Sequence, residues 1–192
     1  AASPSSGQQG THVILYGERL RAGGSHVVNV TLNGVDARIV DETDVFVRVV
    51  AGSSTLGTGP IRLAADTGGV VQSSVQWEYL QQSGIDTVTP GSGQLGTLVT
   101  IRGTHLLGGG SQLIRVTLAG TEATILSQND TVVVVRVSRG TGLPKTGDVV
   151  LVGDELAETT ASNAFSYIAP GDIDAVVPSQ GSFGTVVTLF GA

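Results

Sequence analysis

The sequence predicts an all-β protein built of tandem antiparallel β-sandwiches, and three observations predict it. First, short runs rich in Val, Ile, Leu and Thr are separated by Gly, Ser, Asn, Asp and Pro, with turn signals about every 8 to 12 residues and no helical period anywhere. Second, one stretch occurs three times: PSSGQQGTHVILYG (4–17), PGSGQLGTLVTIRG (90–103) and PSQGSFGTVVTLFG (178–191) share the frame PxxGxxGTxVxϕxG, where ϕ is Leu or Ile. Third, the similarity continues inside the units: VNVTLNGVDARIV (28–40) matches IRVTLAGTEATIL (114–126), VFVRVVAG (45–52) matches VVVVRVSRG (132–140), WEYL (77–80) matches FSYI (165–168), and IDTVTP (85–90) matches IDAVVP (173–178).

Pro90 follows Pro4 by 86 residues and Pro178 follows Pro90 by 88, which are domain-sized periods. A unit of this length can bury roughly 60% of its unfolded surface and fold alone. The division predicts a first sandwich over 1–84 that lacks most of its first strand, a complete second sandwich over 85–172, and the opening strands of a third unit over 173–192. With no Met in the chain and an opening at AASP, the expectation is an internal fragment or processed piece of a longer array.

Within the complete unit the expected strands are 85–89, 97–102, 112–119, 122–127, 131–137, 147–153 and 162–168. TLVTIR alternates, with Val99 and Ile101 on one face and Leu98, Thr100 and Arg102 on the other. TVVVVRV lacks that alternation over its first half, which predicts a central strand covered on both sides. Trp77 with Tyr79, and Phe165 with Tyr167, stand two apart on late strands and so face one way, as core filling.

GSGQLG (91–96) satisfies GxGxxG, a spacing that cradles a pyrophosphate when a helix follows. Here a strand follows, so no helix N-terminus is available to hold phosphate. Gly91 is Ser5 in the first copy and Ser179 in the third, which a phosphate cradle would not be expected to allow. The glycines that recur are structural turn positions: Gly7, Gly10, Gly93, Gly96, Gly181 and Gly184.

These residues resemble the IPT/TIG family. The resemblance is carried by the PxxGxxGTxVxϕxG opening, Leu20 and Leu106 after it, the VxLxGxxA hairpin (Val30 to Ala37, Val116 to Ala123), the valine-rich strand and the closing aromatic-x-Tyr. It implies immunoglobulin-like sandwiches of the kind found in plexins, fibrocystin-like and other large surface proteins, microbial surface proteins and some transcription factors. Receptor versions often carry cysteines and this chain has none, while transcription-factor versions use basic loops.

The net charge is −6. Residues 4–89 and 90–177 each carry 5 basic and 8 acidic side chains, so no basic face attracts phosphates and no nucleic-acid partner is expected. Without Cys there is no disulfide and no Cys-based zinc site. No apolar run of about 18 residues is present, so direct membrane insertion is not expected.

His12, His26 and His105 align with Leu98, Gln112 and Arg19, so no histidine recurs as a metal ligand or catalytic group. No GxSxG elbow occurs. Asp41-Glu42-Thr43-Asp44 and Asp154-Glu155 lack the DxDxDG calcium-loop spacing and read as solvated turns, while Asp86, Asp172 and Asp174 near the joints are where a weak calcium contact would sit. The expectation is therefore no catalytic, cofactor-binding or metal residue. Asn29-Val30-Thr31 and Asn129-Asp130-Thr131 are N-glycosylation sequons, Asn29 facing outward on a strand and Asn129 in a turn.

The expected function is a non-enzymatic structural and adhesive module of an extracellular or cell-surface protein. It would act as a stiff spacer presenting contact faces to protein or glycan partners and to other repeats of the same longer chain. Self-association into a surface filament, such as a flagellar hair, is one form of this. Two alternatives come from other classes: an intracellular DNA-binding or dimerisation module, and an accessory domain of a carbohydrate-active enzyme.

Overall fold

The structure, a computed structural model, describes residues 1–141 and 144–191. The first part contains β1 (Ala2–Ser3), β2 (Ser6–Gly7), β3 (His12–Tyr16), β4 (Val27–Leu32), β5 (Val35–Glu42), β6 (Phe46–Val50), β7 (Gly57–Ala65) and β8 (Val70–Tyr79). The second contains β9 (Gly84–Thr89), β10 (Ser92–Gly93), β11 (Leu98–Thr104), β12 (Leu113–Leu118), β13 (Thr121–Glu122), β14 (Thr124–Gln128), β15 (Val132–Arg136), β16 (Lys145–Gly153) and β17 (Glu158–Tyr167). A hairpin of β18 (Ile173–Val177) and β19 (Thr188–Gly191) follows. The protein is all-β.

In the second sandwich a sheet ordered β14-β15-β11-β9 faces one ordered β10-β17-β16-β12-β13. The first has the same order, β1-β3-β6-β5 facing β4-β7-β8-β2, but β5 runs unbroken through both sheets and joins them. Each sandwich closes on its own buried cluster. One is built around Val13, Leu32, Val47, Ile61 and the pair Trp77–Tyr79. The other is built around Val99, Leu118, Val133, Val149 and Phe165–Tyr167. Both aromatic pairs are fully buried, edge to face, with ring centroids 5.7 and 5.3 Å apart, so they fill the core as expected.

The opening of each unit is split. β1 and β9 pair antiparallel with β3 and β11; the chain then passes Pro4 or Pro90, and β2 and β10 pair parallel with β8 and β17 in the opposite sheet. Proline has no N–H to give a ladder, so the switch between sheets falls there. The bonds Ser3–Pro4, Thr89–Pro90 and Val177–Pro178 are all cis.

The GxxGT turn that follows is one small hydrogen-bonded unit. Thr11 N–H donates to the Gln8 carbonyl (3.2 Å) and Gln8 N–H donates to Thr11 Oγ1 (3.0 Å). Gln94 with Thr97 and Ser182 with Thr185 repeat both bonds. Gly10, Gly96 and Gly184 take φ of +87°, +90° and +87°, the third position of a type II turn. A Cβ at Gly7, Gly93 or Gly181 would lie 2.5–2.8 Å from the threonine side chain.

Three expectations are corrected. The last strand starts at Glu158, not 162, because residues 158–161 pair with 149–152 of β16. The expected 122–127 strand is two pieces, β13 and β14, hinged at buried Ala123. β15 is central, but only Val133 and Val135 are buried; Val132 and Val134 lie on the outer face, half-exposed, because each sheet of a two-layer sandwich has one covered side.

Candidate functional site

The joint between the sandwiches concentrates the buried polar chemistry. Tyr79 ends β8 and Gly84 begins β9, leaving four residues, Leu80 to Ser83, between them. Because β2 runs parallel to β8, the turn after β2 lies beside the chain leaving the sandwich: Leu80 N–H donates to the Gly7 carbonyl (2.7 Å). Gln8 at that turn is buried. Its Oε1 accepts from Ser83 N–H (2.6 Å), and its Nε2 donates to Ser83 Oγ (2.7 Å). Ser83 Oγ in turn meets Thr159 Oγ1 at the start of β17.

Two further contacts close the joint. His12 N–H, at the edge of β3, donates to the Glu155 carbonyl (3.0 Å) of the 153–157 turn. Gly109, at φ +88°, lets the 107–110 turn approach: a Cβ there would lie 3.0 Å from Leu80 Cδ1 and 3.7 Å from Gly7 Cα. Beside these contacts lies a cleft of about 410 Å³ lined by Ile14, Val40, Arg48, Glu155 and Leu156 among others. Glu155 has its carboxyl pushed up, first by burial and then by the neighbouring Asp154 charge.

The acidic clusters are more than solvated turns, which corrects the expectation. Glu42 is held by Arg21 through Nε–Oε2 (2.8 Å) and Nη2–Oε1 (3.1 Å), with His26 Nδ1 3.2 Å from Oε1. The Arg21 guanidinium holds its carboxyl below the usual carboxylate range. Asp44 accepts from Arg21 N–H (3.1 Å), and its aligned partner Asp130 accepts from Leu107 N–H (3.4 Å). Asp66 and Asp154 likewise fasten Ser25 and Ser111. Hydrogen bonds from the Ser111 side chain and backbone lower the Asp154 pKa.

The histidines do not converge: His12 lies at the joint, His26 pairs with Glu42, and His105 Nδ1 lies 3.1 Å from Asp130 Oδ2. Asp86, Asp172 and Asp174 are exposed, and among the described residues no group of three or more His, Asp or Glu side chains gathers around a common point. No helix among the described residues is long and apolar enough to cross a membrane.

Asn29 and Asn129 are both exposed. Asn29 Nδ2 donates to Asp36 Oδ1 (3.1 Å). Asn129 Oδ1 accepts from the N–H of Thr131 (2.9 Å) and Val132 (2.8 Å), the work that Thr43 Oγ1 does in the first sandwich. That cap uses the oxygen and leaves the nitrogen outside it. The joint itself was missed from sequence; the signal is Gln8 and Gln94 at the same place in the first two copies of the repeat.

Two sheets in this order, closed by an aromatic pair on the last strand, define an immunoglobulin-like sandwich. Residues 83–167, which hold the second sandwich, match the IPT/TIG domain. The chain is 26% identical over 200 residues to Fibrocystin-L of Homo sapiens, an alignment covering 98% of this chain and 4% of that protein. Among solved structures, the full extracellular region of plexin A4 superposes with a TM-score of 0.56 at 18% identity, over 93% of this chain and 16% of that one. A second structure of that region gives 0.50 at 17% identity, over 88% and 18%. The chain thus spans a small part of each of these relatives. The plexin likeness, at such identity, is one of fold.

Proposed function

We propose that the chain is a non-enzymatic structural and adhesive module of an extracellular or cell-surface protein, in which tandem IPT/TIG sandwiches hold a fixed spacing and present contact faces to protein or glycan partners. The observation that carries this is the joint: four residues separate the last strand of one sandwich from the first strand of the next, and Ser83 within them is buried. A linker with no free length leaves little interdomain freedom. The match to an extracellular region of plexin A4 supports the placement. The exposed sequons fit a secretory route, on which Asn29 and Asn129 would carry glycans; unshifted mass after expression in a glycosylating secretory host would count against that part. The apolar, exposed β18–β19 hairpin, with Ile173, Leu189 and Phe190 open, is the surface on which self-association into a filament would rest.

Small-angle scattering of the whole chain tests the spacer. A profile fitted by one rigid two-lobed particle is expected. A profile that requires an ensemble of interdomain angles would overturn it.

A further inference from the structure

We propose that Gln8 is a lock that fixes the angle between the two sandwiches, and that the same opening turn latches each unit's own exit linker. The inference deepens the spacer reading by naming the residues on which its stiffness depends. Four polar side chains are buried among the described residues, Gln8, Thr11, Ser83 and Thr159. Thr11 belongs to the turn itself, and the other three form one chain of hydrogen bonds from the first sandwich through the linker to the second.

The donor and acceptor directions along that chain are mutually consistent. The Gln8 carboxamide uses its oxygen on Ser83 N–H and its nitrogen on Ser83 Oγ, which then has its own proton to give to Thr159 Oγ1. Rotation of one sandwich on the other would pull Ser83 from Gln8 or Thr159. Buried polar groups would then lose their partners without gaining water, since the 107–110 turn covers them: a Cβ at Gly108 would lie 3.5 Å from Gln8 Nε2. A buried network in which each of these polar atoms has a partner therefore selects one angle.

The second copy of the turn does the same at the next exit. Gln94 Oε1 accepts from Gly171 N–H (3.1 Å), and Gly171 aligns with Ser83. The parallel pairing of β10 with β17 explains the recurrence, because it sets the opening turn beside the departing chain, as β2 and β8 do. Gly171 has no hydroxyl, so this latch holds the linker without a side-chain relay onward.

The chain lacks cysteine, so Ser74→Cys with Ser127→Cys places one spin label on an exposed strand position of each sandwich. Pulsed dipolar spectroscopy then reads the distance distribution across the joint. The doubly labelled parent should give one narrow distribution. Gln8→Ala should broaden it about twofold, since interdomain motion is the default once a joint is released. Thr159→Val, which takes the residue found at the aligned Val71, should broaden it less. Gln94→Ala should leave it unchanged. Buried Trp77 reports by fluorescence whether the first sandwich stays folded.

A folded Gln8→Ala protein with the parent's width overturns the lock and leaves the spacer standing. If Gln8→Ala unfolds, an unchanged width in Thr159→Val overturns it instead. A broad distribution in the parent overturns both.

Discussion

At the residue scale, the final glycine of the repeat shows what recurrence means. A Cβ at Gly103 would collide with the Gly84 carbonyl of β9 and lie 2.7 Å from Leu106 Cδ2. At Gly191 it would collide with the Asp172 carbonyl, and at Gly17 it would lie 2.6 Å from Leu20 Cδ2. The residue is glycine because backbone or a core leucine passes over it, not because a turn needs positive φ. Gly91 is the opposite case, with its nearest atoms at 3.9 Å. Gly103→Ala should therefore destabilise the protein by about 1–3 kcal/mol as the backbone or Leu106 gives way. Gly91→Ala should stay within about 0.5 kcal/mol of the parent. Denaturant unfolding followed by circular dichroism separates them, and equal losses would contradict the close-approach account. That Gly91 varies while Gly93, Gly96 and Gly103 recur was legible by comparing the three copies. Which glycine faces a threonine, which takes positive φ and which meets a crossing strand was not, because sequence identity records the constraint without its direction.

At the element scale, most strand positions and the alternating faces were legible because a two-layer sandwich enforces period-2 burial, as in Val99 and Ile101, whereas the short β10, the break at Ala123 and the one-sided burial of β15 were not. The roles of the acids were not legible, because each acts on a loop far away in sequence. Glu42 ends β5 yet holds Arg21, which lies 21 residues earlier. In the second sandwich the three aligned positions are Gln128, Leu107 and Gln112, so that charged triad has no counterpart there. Gln128 Oε1 accepts from Leu113 N–H (2.6 Å), a bond that does not titrate over this range. Acid sensitivity from this triad should thus belong to the first sandwich alone. The folded-state pKa of Glu42 lies below its ordinary value of 4.5, so its stabilisation is complete above that value and is lost as pH falls through the folded pKa. Glu42→Gln should lower the melting temperature at neutral pH and shrink the loss on acidification. Scanning calorimetry from pH 7 to about pH 3 tests this; a parent and variant with parallel pH profiles would refute it.

At the scale of the whole molecule, the short linker was legible from IDTVTP following WEYL so closely, and it predicted stiffness. The buried polar network was not, because Gln8 reads as one more turn residue until parallel pairing brings the exit chain beside it. Glu155 is the charged group that this arrangement disfavours. Its carbonyl accepts from His12, and its side chain lines the cleft between the sandwiches beside Asp154. Burial and the Asp154 charge raise its pKa above the ordinary 4.5, so the folded joint holds the proton more tightly than the unfolded chain does. Stability from this group is therefore present below 4.5 and declines as pH rises through the folded pKa, the reverse of Glu42. Glu155→Gln keeps the size and the carbonyl contact while removing the charge. The variant should melt higher than the parent at pH 7, with the difference vanishing near pH 4, where the parent's own carboxyl is protonated. A variant less stable than the parent at pH 7 would mean that the carboxylate makes a favourable contact across the joint, and that the cleft between the sandwiches tolerates negative charge.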